Sequence, residues 1–304
     1  MQGGPCRAHL LIVLDQHDRV RSWFLSHDDA SVQTHERNRS MAHNGSCAWL
    51  HQCDSFQQWV NSPDASPVIW IAGEHGIGKS ILCAKTIDYV QDLGRCAAFH
   101  YCRYNNQLDS VQIARSLILQ LFEHVYESNS AIASLIHERY AKIGLGSLFS
   151  LGVLIEVMIL ILGELKLEHN EQQDRLPAAY VFLDGIDEAS PENDVIEDLV
   201  KPLLRISPQG AVHIWVSSRR ENTVLEHLQQ YPTLNPRDYN QQDVRDYLEN
   251  VVQTCFEQTG ISSGSNGATC SENDDSSEES LSGSEAEAQA VDHSKATSSV
   301  SGLS

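Results

Sequence analysis

Val68-Ile69-Trp70-Ile71-Ala72-Gly73-Glu74-His75-Gly76-Ile77-Gly78-Lys79-Ser80 joins an unbroken apolar run to a glycine-rich loop, and Lys79 opens a segment of helical rhythm. Consecutive apolar residues suit a parallel strand covered by helices on both faces, because such a strand has no solvent side to carry polar alternation. Beyond the loop, Ile81, Leu82, Ala84, Ile87 and Val90 recur at helical spacing, so the order is strand, loop, helix. Residues 73–80 fit the pattern GxxxxGK[ST] in full. Glycines let successive backbone N–H groups turn toward an anion without Cβ clashes, and the start of the helix adds its positive dipole end. The pattern therefore predicts a phosphate loop for a nucleoside triphosphate, built from Gly73, His75, Gly76, Ile77, Gly78, Lys79 and Ser80. In it Lys79 reaches the β- and γ-phosphates, and the Ser80 hydroxyl is offered to Mg²⁺.

Outward from this loop the same alternation continues. Cys96 to Tyr101 reads as a second strand, and Asp109-Ser110 can cap a helix whose Val111, Ala114, Leu117, Leu121 and Val125 form one apolar stripe. Helical patterns at 130–141 and 151–168 lead to a third strand, Ala178 to Leu183, and one at 192–205 leads to a fourth, Val212 to Val216. Upstream, Cys47 to Val60 has helical spacing and ends in the turn residues Asn61-Ser62-Pro63-Asp64. This order predicts an α/β fold of P-loop type, three layers around a parallel sheet. No internal period of 20–50 residues marks a repeat array.

Two further strand ends carry polar chemistry. Tyr180-Val181-Phe182-Leu183-Asp184 is an apolar strand closed by a carboxylate and followed by Gly185-Ile186-Asp187-Glu188. Ligands of open α/β sheets lie beyond the carboxyl ends of the strands, so Asp184 is expected beside the glycine loop as a Mg²⁺ ligand acting through water. Asp187 and Glu188, about one turn further on, are placed to orient or deprotonate an attacking water. Ile214-Trp215-Val216-Ser217-Ser218-Arg219-Arg220 is a strand ending in basic residues, where Ser218 or Arg219 can sense a γ-phosphate.

Composition excludes several function classes. A formal charge of −20 in 304 residues argues against sequence-independent nucleic-acid binding, which needs clustered Lys and Arg to replace phosphate counterions. The eight cysteines show neither a CxxC pair nor zinc-finger spacing, which fits a reduced, cytoplasmic setting. Cys96, His100 and Cys102 fall on the apolar alternation of the second strand and read as buried strand residues. The apolar patch Leu10 to Leu14 is too short for a signal-peptide core. Leu148 to Leu165 contains Gly152, Glu156, Gly163 and Glu164 and reads as a buried helix instead of a membrane span.

Taken together, these motifs resemble the NACHT domains of NOD-like signal-transduction NTPases, above all the large fungal group, a segment also described as a nephrocystin-3-like N-terminal domain. The resemblance rests on Cys47-Ala48-Trp49-Leu50 with Phe56 to Trp59, Val68 to Ser80, Ser116 to Leu121, Phe182 to Ala189 and Val216 to Arg219, in family order. Gly185 after the metal carboxylate, with Asp187 and Glu188 beyond it, matches the small residue and paired acids that distinguish NACHT domains. The resemblance implies a nucleotide-driven switch that binds Mg²⁺ with ATP or GTP, hydrolyses slowly and signals to protein partners. Two alternatives stand beside it: an active mechanical P-loop ATPase, and a degenerate interaction module without turnover. Residues 1–44 read as a leader of unknown function, 45–235 as the NTPase domain, 236–256 as the start of a helical subdomain and 257–304 as a disordered acidic Ser-rich tail. That tail holds nine acids and a single base, Lys295. Relatives carry a winged-helix lid and sensor repeats that this sequence does not show, so large self-assembly is not expected of this chain alone.

Overall fold

The computed structural model describes residues 7–25, 30–43, 45–62, 64–105, 108–143, 150–171, 177–189, 194–206 and 211–259. At its centre lie β1 (Val68–Ala72), β2 (Cys96–Tyr101), β3 (Ala179–Asp184), β4 (Val212–Ser218) and β5 (Thr233–Leu234), in the order β2-β3-β4-β1-β5. Every pairing is parallel. The register sets Ala72 beside Ser218 and Tyr101 beside Asp184, so the carboxyl ends of β1 to β4 finish along one edge. The four predicted strands are all present. β5 escaped the sequence reading because its two residues are too few to show a period.

Alternate strand residues face two separate cores, as a period of two requires. Ile69, Ile71, Tyr180, Phe182 and Trp215 pack with Phe56, Trp59 and Val60 of α3 (Asp54–Asn61) and with Leu82, Ile87 and Val90 of α4 (Lys79–Asp92). Val68, Trp70, Val181, Leu183, Ile214 and Val216 pack on the other face, under α5 (Ser110–Ser128), α6 (Ala131–Tyr140) and α7 (Leu151–Glu171). Helices on both faces explain why these strands carry no polar alternation. The Asp109 cap of α5 is reciprocal: its carboxylate accepts from the Gln112 N–H at 2.7 Å, and the Gln112 side chain accepts from the Asp109 N–H at 3.0 Å. Leu154, Val157, Met158, Ile161 and Leu162 of α7 are fully buried. No helix among the described residues is long and apolar enough to cross a membrane.

Residues before 45 form α1 (Arg7–Phe24) and α2 (Ser31–Met41). Val20 and Phe24 are fully buried in the second core. The helix predicted at 47–60 is broken into a 3₁₀ turn, Ala48–Gln52, and α3, because Cys53 is extended between them (φ −82°, ψ 116°). Where a helix was predicted at 192–205, a π-turn (Ile196–Val200) runs into α8 (Lys201–Ile206). After β4 come α9 (Asn222–Leu228) and, beyond β5, α10 (Gln241–Thr259). Residues 257–259, read from sequence as the start of the tail, belong to α10. The rest of the predicted tail lies outside the described residues.

Candidate functional site

The glycine loop spans the turn from β1 into α4. Gly78 stands at φ +93°, a left-handed conformation that admits glycine readily, and it is the residue before the first turn of α4. A Cβ on Gly73 would lie 2.0 Å from Ile77 Cδ1, so that side chain depends on a bare Cα opposite it. The Lys79 ammonium folds back into the loop, donating to the carbonyls of Gly73 at 2.8 Å and Glu74 at 2.9 Å. Asn240, at the start of the α10 region, donates to the Ile77 carbonyl at 2.9 Å and ties the loop to a distant part of the chain.

At the end of β3, Asp184 is only 4% exposed. Burial pushes its carboxyl above the usual carboxylate range, while hydrogen bonds from Ser217 and Ser80 and the charge of Lys79 pull it back. Ser217 hydrogen-bonds the Asp184 carboxylate, and the same hydroxyl accepts from the Gly185 N–H at 3.0 Å. Ser217 was not singled out from sequence; its only signal was a polar residue ending an apolar strand. Its neighbour Ser218 is fully buried and accepts from Trp70 Nε1 at 2.8 Å. The hydroxyl expected as a phosphate sensor therefore serves the packing of β1 on β4.

Asp187 and Glu188 share one 3₁₀ turn but have different partners. The Asp187 carboxylate, 3% exposed, accepts from the Arg219 backbone N–H at 3.1 Å and from Arg219 Nε at 2.6 Å. Arg219 also pairs with Glu221 at 3.2 Å, and the Asp187 contacts are the main reason its pKa is raised. Glu188 accepts from the Tyr104 N–H at 3.2 Å with one oxygen. Around these groups lies a cavity of about 500 Å³ bounded by His75, Gly76, Gly78, Lys79, Ser80, Asp184, Asp187, Glu188 and Arg219. Thr34, Arg37, Asn38 and Met41 of α2 close another side of it, and Arg103 lines it from beyond β2. None of these five carried a motif.

A second cavity, of about 640 Å³, also borders the glycine loop and shares Met41, Gly76, Gly78 and Ile81 with the first. Gly76, Ile77, Gly78, Ile81 and Leu82 form its floor, and Met41, Trp49, Val244, Tyr247 and Leu248 wall it. Cys47 N–H donates to the Asp243 carboxylate at 2.7 Å, which holds the segment before α3 against α10. Cys96 and His100 are buried in β2, as the strand reading expected, and Cys102, buried just past its end, lines the polar cavity.

A sequence model of the nephrocystin 3 N-terminal family matches residues 45–219, more than half of the chain. The chain belongs to that family. No curated protein is similar enough to the chain to match it. The stretch shared with the nephrocystin 3 N-terminal family runs from the 3₁₀ turn before α3 to Arg219, and so contains β1 to β4, the glycine loop, Asp184, Asp187 and Glu188. It leaves α1, α2, α9, β5 and α10 outside, although α2 and α10 wall the two cavities.

Proposed function

We propose that the chain binds a Mg²⁺ complex of ATP or GTP at the glycine loop and acts as a NACHT-type switch with slow hydrolysis. The observation that carries this reading is that Ser80, at the start of α4, and the buried Asp184, at the end of β3, line one cavity together with Lys79. Two oxygen ligands converge there from the loop after β1 and from the end of β3, one strand removed in the sheet, which is the arrangement Mg²⁺ and a triphosphate require. The donor set fits the ion: the ligands are a carboxylate and a hydroxyl, and burial pushes the carboxyl above its usual range, a penalty that a divalent cation would relieve. Mg²⁺ bound there neutralises charge on the phosphate oxygens.

The remaining work falls to side chains. Lys79 already points its ammonium into the loop, where two carbonyls hold it, and a phosphate entering the loop competes for the same donors. Glu188, with one oxygen bonded to the Tyr104 N–H, is the residue that orients the attacking water. Asp187 is occupied by Arg219, so it positions that guanidinium. An arginine committed to a buried carboxylate stabilises a developing phosphate charge less than a free one, so the expected turnover is slow. Signalling to protein partners belongs to this reading.

The test is a binding titration of the full chain with ATP and with GTP, with and without Mg²⁺. Mg²⁺-dependent affinity for one of the two is the expected result. Equal affinity with and without the ion refutes the Asp184–Ser80 metal site, and no affinity for either nucleotide refutes the reading.

A further inference from the structure

The polar cavity has a wall outside the family match. α2 lies beside the carboxyl ends of the strands and is fixed there by polar contacts that are buried at Ser31 and His35 and exposed at Arg39. His35 bonds the Tyr101 hydroxyl at 3.0 Å and Asp88 at 3.2 Å, Arg39 pairs with the same Asp88 at 2.9 Å, and Ser31 bonds His100 at 3.1 Å. Arg37 lies between the two residues that grip Asp88, and its side chain lines the cavity. A helix clamped on either side of a residue fixes the backbone that carries it, so only the side chain has freedom left to lose on binding.

The cations around this cavity are not equivalent. Lys79 is held by the carbonyls of Gly73 and Glu74, and Arg219 by Asp187 and Glu221. Arg37 and Arg103 have no hydrogen-bond or ion-pair partner for their guanidinium groups among the described residues, and of the two Arg37 stands on the helix that closes the cavity. Arg37 lines only the cavity that holds Ser80, Asp184 and Glu188, whereas Met41, one turn further along α2, lines both cavities. The polar cavity is thus the one where the charged end of a nucleotide belongs, and Arg37 faces that end.

We infer that Arg37 is a phosphate-contacting residue, donating to the terminal phosphate of a bound nucleoside triphosphate and completing the site from a helix outside the family match. The inference rests on the nucleotide reading above. A planar guanidinium can give a phosphate two parallel hydrogen bonds, so its loss is felt by a triphosphate and little by a diphosphate.

The experiment uses the full chain with Mg²⁺ and compares non-hydrolysable analogues of ATP and GTP with ADP and GDP, for the parent, Arg37→Gln, Arg37→Lys and Lys79→Ala. Arg37→Gln should weaken the triphosphate analogue about tenfold and leave the diphosphate within about twofold. Arg37→Lys should fall between, since it keeps the charge and loses the fork. If Arg37→Gln does not fold, a threefold triphosphate-selective loss in Arg37→Lys is the corresponding result. Parental triphosphate affinity in the Arg37 variants, or an equal loss for triphosphate and diphosphate, overturns the inference while leaving the site itself standing. A parent that binds neither nucleotide, with Lys79→Ala indistinguishable from it, overturns the nucleotide reading and this inference together.

Discussion

Two cavities share the glycine loop as a common wall, and they are built by opposite rules. The polar one collects Lys79, Ser80, Asp184, Asp187, Glu188 and Arg219, all of which sit at or just past the carboxyl end of a strand. The apolar one is assembled from residues 40–49, 76–82 and 236–248, segments far apart in the chain. What draws them together is a small set of long-range polar contacts: Asn240 to the Ile77 carbonyl, Cys47 to Asp243, and Trp49 stacked on Tyr239 with ring centroids 4.8 Å apart. The difference teaches that sheet topology delivers most of the charged chemistry to one edge, with α2 adding Arg37, whereas the apolar recess beside it needs a later helix folded back.

With the phosphates in the polar cavity, the nucleoside is expected in the apolar cavity beside it, so the comparison can be broken one side at a time. Replacing Lys79 by Ala should reduce Mg-nucleotide affinity by more than about a hundredfold, because the only loop cation is removed. The thermal midpoint should stay near that of the parent, which separates lost binding from lost folding. Isothermal titration with circular dichroism as a fold control measures both. An affinity within threefold of the parent would show that the loop is not a phosphate site.

Within the polar cavity, Glu188→Gln should slow phosphate release by roughly a hundredfold while nucleotide affinity stays within about twofold. Asp187→Asn is expected to behave differently, since it weakens a buried ion pair and loosens Arg219. Its signature is a lower thermal midpoint accompanying any change in turnover. If both variants turn over at the parental rate, neither acid serves the water.

The apolar side should respond more weakly and without regard to phosphate number. Tyr247 lines that cavity and is 52% exposed, so its truncation leaves the core untouched. Tyr247→Ala should weaken triphosphate and diphosphate alike, by roughly threefold to fivefold, through lost contact area. A loss confined to the triphosphate would move this residue to the phosphate side and erase the distinction between the cavities.

The smallest effect on either cavity is expected from protonating the fold elsewhere. His213, 1% exposed on β4, donates from Nδ1 to the Trp59 carbonyl at 2.6 Å, and burial lowers its pKa to about 4 with a smaller contribution from Lys166. An unfolded histidine titrates near 6.5, so in this window the unfolded chain binds the extra proton. The stability from keeping His213 neutral is therefore full above pH 6.5 and is lost as pH falls toward about 4. The total is on the order of 3 kcal/mol. Thermal midpoints measured from pH 7 to pH 4 should fall, and His213→Gln should flatten that slope. An unchanged slope in the variant would place the titrating group elsewhere.

By itself the sequence determined the strands β1 to β4, their helical cover and the loop at 73–80, because each depends on local rules: unbroken apolar runs, a helical period, a reciprocal cap at Asp109, glycines where the backbone must turn. The closeness of Asp184 to Ser80 was legible for a related reason, since parallel strands must all end at the same edge. Short or composite elements were not legible: β5 has two residues, and Cys53 breaks the helical rhythm of 47–60 through its own backbone angles. Only the tertiary structure decided that Asp187 holds Arg219 while Glu188 faces another way, although both lie in one three-residue turn. It alone set Ser217 on Asp184 and carried Arg37 and Tyr247 to different cavities beside the loop. The direction of a side chain, and the meeting of residues some forty positions before the loop with others far beyond it, depend on packing between elements. No spacing along the chain records that packing.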